Sequence, residues 1–185
     1  DYQGYLYIVC DEGPGTLQIA DLNMLPNSAP LVYDSDSLFS LSHNIFIDSL
    51  NGILYNTNGG VYSLANPENP VEIANLNIGS MFDHGHDLFV RNDTAYWHSG
   101  PTGMYVYDYS QDVTNPSLLG SFSLGEYNHY GWLNDAGNVY VFAEETFNTD
   151  VQICDVSDLS NISILSSEKE FINYLIKKLD KDDLT

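Results

Sequence analysis

Three histidines recur at one spacing. His43, His86 and His129 stand 43 residues apart, and each opens a similar stretch: His43-Asn44-Ile45-Phe46-Ile47-Asp48, His86-Asp87-Leu88-Phe89-Val90-Arg91 and His129-Tyr130-Gly131-Trp132-Leu133-Asn134. Neutral imidazole is a ligand for Zn, Cu, Fe or Ni, and three imidazoles that leave a coordination position open can bind and activate a substrate. Carboxylates lie close by in sequence. Asp83, His84 and Asp87 surround the second histidine, Glu144 and Glu145 follow the third, and Asp11 with Glu12 hold the matching place near the start. Such groups could accept an imidazole N–H, bind a hard cation such as calcium, or serve as a general base. The competing role for the histidines is structural, each hydrogen-bonding the next repeat and fixing how the repeats stack. His98 lies off the spacing and is expected at the surface.

For chemistry, the three positions must face one another, and the rest of the chain suggests how. An aromatic residue follows each histidine by 11 or 12 places: Tyr55, Trp97 and Tyr140. Further strand-like runs come next, such as Met104-Tyr105-Val106-Tyr107-Asp108 and Val151-Gln152-Ile153-Cys154-Asp155, which align with Leu17-Gln18-Ile19-Ala20-Asp21. A period of about 40–45 residues built from short strands is the signature of propeller blades, whose first strands line an axial channel. The expectation is therefore an all-β chain: a β-propeller of about four blades, each of four antiparallel strands, over residues 1–166. The first unit lacks its innermost strand, leaving 15 strands in all. That gap suggests a piece of a larger propeller, or closure by the tail or by another copy through the open blade edge. The aspartates ending the third strands (Asp21, Asp108 and Asp155) are expected to accept backbone N–H groups in Asx-type turns. Trp97 and Trp132 are expected to pack between blades.

Residues 167–185 differ in character. Ser167-Glu168-Lys169-Glu170 has capping-box spacing, and Ile172, Leu175, Ile176 and Leu179 follow helical periodicity, so a short C-terminal amphipathic helix is expected there.

Composition narrows the functional classes. The formal charge is −21, and four of the five strong bases fall in the last 17 residues, leaving Arg91 alone before them. A surface of that kind repels nucleic acid and anionic lipid. No apolar run approaches the length of a membrane span, so membrane insertion is not expected. Cations, basic proteins and neutral glycans remain as partners. Cys10 and Cys154 lack zinc-finger spacing and are read as buried free thiols, with a disulfide as the lesser alternative. No Ser-His-Asp order, phosphate-cradling glycine loop or EF-hand loop is present.

With the repeats aligned, the chain resembles the LVIVD-repeat, choice-of-anchor B family of extracellular β-propeller proteins. The resemblance is carried by Ser42-His43-Asn44-Ile45, by the run from Val61 to Pro70, and by His86-Asp87. It extends through His129-Tyr130-Gly131-Trp132, Ala143-Glu144-Glu145 and Cys154-Asp155-Val156-Ser157-Asp158-Leu159, covering most of residues 1–165. It implies a secreted or surface-attached protein and brings no established activity. Two functions follow as expectations. One is a binding or structural module, for interaction or adhesion, with a cation (a divalent transition metal or calcium) at the axial channel. The other is a metal-dependent oxidoreductase or hydrolase, with His43, His86 and His129 as ligands, His84 and Asp87 as further candidates, and Glu144 or Glu145 as the acid–base group.

Overall fold

The computed structural model describes residues 1–76, 85–147 and 149–168. Short runs rich in Val, Ile, Leu and Tyr, broken by Gly, Asn and Pro, form antiparallel meanders. The first sheet is β1 (Tyr5–Ile8), β2 (Leu17–Asp21) and β3 (Leu31–Ser35); the second is β4 (Ile45–Asp48), β5 (Ile53–Asn56), β6 (Gly60–Ser63) and β7 (Val71–Asn75). The third holds β8 (Asp87–Arg91), β9 (Thr94–His98), β10 (Met104–Asp108) and β11 (Ser117–Phe122); the fourth holds β12 (Asn128–Leu133), β13 (Val139–Glu144), β14 (Val151–Asp155) and β15 (Ser163–Glu168). The strands follow chain order from the innermost to the outermost in every sheet, as in a propeller blade. The first blade has three strands, as its sequence indicates, and the other three have four each.

The innermost strands β4, β8 and β12 lie side by side, with β8 between the other two. The sheets pack face to face through three apolar layers. Tyr7, Leu17, Ile19, Leu54, Tyr62 and Leu64 join the first and second blades. The second and third meet around Tyr55, Val61, Leu88, Trp97 and Tyr109. Phe89, Tyr96, Val106, Tyr140, Phe142 and Cys154 join the third and fourth. Trp97 thus packs between blades as expected. It is fully buried, and its indole N–H donates to the Tyr109 hydroxyl at 2.9 Å. Changing Trp97 to Phe removes that bond and leaves a gap in the layer, so a urea titration should show a loss of about 1–2 kcal/mol.

The outermost strand of every blade carries a bulge at the matching place, with Val32, Ile73, Leu119 and Leu165 as the extra residues against the pairs Ile19/Ala20, Val61/Tyr62, Val106/Tyr107 and Ile153/Cys154 of the neighbouring strand. A bulge adds local twist, so the repeat includes a device for twisting each blade. The strand-ending aspartates make the turns their positions suggest. Asp21 accepts from the Asn23 N–H at 2.8 Å, Asp108 from Ser110 at 2.8 Å and Asp155 from Ser157 at 2.9 Å, and in the second blade the Ser63 hydroxyl takes the same role toward Ala65 at 3.3 Å.

Three expectations need correction. Cys154 is buried, but Cys10 is exposed, because it follows the end of β1, the open inner strand of the first blade. Trp132 packs edge-on against Phe89 with ring centroids 4.6 Å apart, yet 54% of it stays exposed. Trp132 lines a cavity on that side together with Asp1, Tyr7, Ile45, Phe46 and Ile47. Ser167 and Glu168, placed by sequence at the start of a helix, close β15 instead. The rest of the expected helix lies outside the described residues. Among the described residues, no helix is long and apolar enough to cross a membrane.

Candidate metal centre

Because the inner strands run alike and side by side, residues at their entrances converge at one mouth of the channel. His43 lies two places before β4, His86 one place before β8, and His129 within the start of β12. Their rings meet: the centroids of His43 and His86 are 4.2 Å apart, and those of His86 and His129 are 4.8 Å apart. One nitrogen from each ring can be chosen so that all three lie within 4.8 Å of one another. His86, in the middle, is buried, while the His43 and His129 side chains are 41% and 38% exposed. The site is thus anchored on one side and open to solvent on the other.

Carboxylates frame the trio. Asp11, from the turn after β1, accepts a hydrogen bond from His43 Nδ1 at 2.8 Å. That bond holds the proton on Nδ1 and leaves Nε2 as the donor nitrogen, the usual way an outer carboxylate orients a metal-binding histidine. The blade without a histidine strand therefore supplies an orienting carboxylate. Glu145 follows β13, and its Oε2 lies 3.7 Å from His86 Nε2 and 3.8 Å from His129 Nε2. These separations are too long for hydrogen bonds and close to those between donors sharing one ion. With bonds of about 2.1 Å, they subtend an angle of about 125° at the metal. Tetrahedral zinc holds its nitrogens about 3.4 Å apart, so donors spread over as much as 4.8 Å must close in by up to about 1.4 Å.

Electrostatics favour the ligand form of the central ring. Burial pushes the His86 pKa down, the neighbouring charges of His43 and His129 push it further, and Glu145 opposes them. A ligand imidazole must be neutral, and the lowered pKa keeps the His86 ring in that form. Tyr127 packs edge-on against His86 with centroids 5.2 Å apart. Its ring lies over Gly100, whose φ of +53° and lack of a side chain both matter, since a Cβ there would stand 2.9 Å from the tyrosine carbons.

Other candidates fall elsewhere. Asp87 is buried below the trio, and its oxygens accept the Asn44 amide at 3.0 and 3.1 Å and the Leu88 N–H at 2.7 Å. Burial pushes its carboxyl pKa up, and the Asn44 bond offsets this. Asp87 therefore ties the second and third blades together and is not among the donors that converge. Glu144 does not reach the imidazoles, and its Oε1 accepts from Asn128 Nδ2 at 3.4 Å. Of the two adjacent glutamates, Glu145 is the one beside the trio. His84 and Asp83 lie outside the described residues.

The surface expectation for His98 is wrong. His98 is fully buried between the third and fourth blades, with Nδ1 2.7 Å from Asn128 Oδ1 and Nε2 2.9 Å from the Tyr140 hydroxyl. Burial pushes its pKa down to about 3. Sequence reasoning also passed over Asn44, Tyr127 and Asn128. The available signal was their position within two residues of a recurring histidine.

No protein-family model matches the sequence, and a search of curated proteins finds no match. Solved structures do match in fold. The periplasmic gluconolactonase of Pseudomonas aeruginosa aligns with a TM-score of 0.62 at 12% identity, over 89% of this chain and 53% of that one. A candidate 6-phosphogluconolactonase from Bacteroides fragilis gives 0.55 at 13% identity, over 87% and 53%. The computationally designed protein Ika8 gives 0.58 at 14% identity, over 88% and 46%. The chain spans about half the length of these structures. At such identities the likeness concerns fold alone, and the fold is that of β-propeller blades.

Proposed function

We propose that this chain is the metal-binding part of a secreted or cell-surface β-propeller, holding one divalent transition metal on His43, His86 and His129 as part of an interaction module. The observation that carries the reading is the convergence of three donor nitrogens within 4.8 Å, beside a carboxylate equidistant from two of them. Imidazole donors suit zinc and its neighbours, whereas calcium takes oxygen ligands, so zinc is preferred over calcium. A sharply acidic body and the resemblance to extracellular LVIVD-repeat propellers support the location and the kind of partner, a basic protein or a neutral glycan. Copies could also associate through the exposed inner edge of the first blade. Equilibrium dialysis against zinc and calcium tests the reading. One tightly held zinc per chain and no calcium at the same concentration is the expected result; no retained zinc would end it.

A second reading, a metal-dependent hydrolase, is favoured by Glu145. A carboxylate beside a metal with an open position can take a proton from bound water. Replacing Glu145 with Gln separates the two readings. If Glu145 only orders the site, zinc affinity should fall about tenfold or less. If it serves as a base, hydrolysis of an activated ester by the zinc-loaded chain should fall by about 100-fold or more while zinc stays bound.

A further inference from the structure

His129 does not sit in a regular strand. Asn128 pairs with Glu144 and Tyr130 with Ala143, so His129 is the extra residue of a β-bulge between β12 and β13. A bulge re-aims the side chain it carries, and the direction of the His129 ring depends on what holds the flanking residues. Asn128 is held on every side. Its backbone exchanges two hydrogen bonds with Gly100, at 3.1 and 2.9 Å, and its side-chain amide donates to Glu144 while its Oδ1 faces His98. With the Asn128 amide group turned to the carboxylate, His98 must be the donor to Oδ1, so its proton is on Nδ1 and its Nε2 accepts from the Tyr140 hydroxyl. The backbone carbonyl of the same residue accepts the His86 N–H at 2.8 Å.

We propose that the His98 side chain is a positioning group for the metal centre, fixing the His129 bulge through Asn128. It touches no ligand ring in this role. The proposal rests on reading the trio as metal ligands, and groups of this kind typically change metal affinity by about 10- to 100-fold.

Two replacements divide positioning from mere filling of the core. Asparagine at 98 can place an amide N–H where Nδ1 stands and keep the bond to Asn128; glutamine reaches toward Tyr140 and loses it. Zinc affinity by competition with a chromophoric chelator should stay within about threefold of wild type in His98→Asn and weaken about 10- to 100-fold in His98→Gln. The visible spectrum of the cobalt-loaded chain should change only in His98→Gln. Equal affinities and spectra in the two variants would overturn the proposal. Nitrogen-15 spectra of the wild-type imidazoles keep it falsifiable should a variant not fold: a protected Nδ1–H on His98 is expected, and an Nε2–H tautomer would refute it. If wild-type protein takes up no zinc, the metal reading fails by itself. The metal-free spectra then still decide the present inference, since the His129 ring resonances should move in His98→Gln and not in His98→Asn.

Discussion

Replacing His86 with alanine is expected to weaken zinc binding by about 100-fold or more, the largest loss of any single change at the centre. His86 is the middle ring, 4.2 Å from His43 and 4.8 Å from His129, so its removal leaves two donors that no third imidazole connects. A three-nitrogen site reduced to two loses both a bond and the geometry that keeps water from competing. His43 and His129, both partly exposed, can be partly replaced by solvent at the rim, so alanine at either should have a smaller effect. Chelator competition on the three variants checks the order, and circular dichroism without metal checks that each is folded. If His86→Ala binds zinc as wild type does, His86 is not a ligand.

Mild acid should destabilise the fold strongly, through His98. In the unfolded chain this imidazole takes up a proton near pH 6.5, whereas buried in the folded chain it does so only at about 3. Between those values the unfolded state holds more protons, so stability is lost as the pH falls, at about 1.4 kcal/mol per pH unit. From pH 6.5 to 4.5 the loss is roughly 2–3 kcal/mol. His86, whose pKa is also pushed down by burial, acts in the same direction. Asp87 and Glu144 act oppositely, since burial pushes their carboxyls up and the folded state gains from their protonation. Urea titrations at pH 6.5, 5.5 and 4.5 should show the decline in wild type and a much shallower one in His98→Asn. Equal slopes would show that His98 is not the group responsible.

The architecture was legible because its period is set by local chemistry. Each of the last three blades repeats a histidine entrance, an aromatic on the next strand and a carboxylate or hydroxyl turn at the end of the third. The same arithmetic exposed the missing inner strand of the first blade. What the repeat could not reveal is what depends on contacts between repeats. His98 is buried by partners 30 and 42 residues away, so its own neighbourhood gave no sign of it. The choice between Glu144 and Glu145 turns on the bulge at His129, which shifts the pairing of β12 against β13. Asp11 reaches His43 across 32 residues, from a blade with no histidine strand. Asp87 shares a sequence neighbourhood with the ligands, yet Asn44 draws it into a buried joint between blades.

The central claim is that three imidazoles, one from each of three blades, hold a single ion at the mouth of the channel. X-ray absorption at the zinc edge, on protein carrying one equivalent of zinc, measures this directly. The expected spectrum shows three imidazole nitrogens at about 2.0–2.1 Å with a fourth light ligand, and a loss of imidazole scattering in His86→Ala. A zinc shell with no imidazole scattering, or one that His86→Ala leaves unchanged, would contradict it.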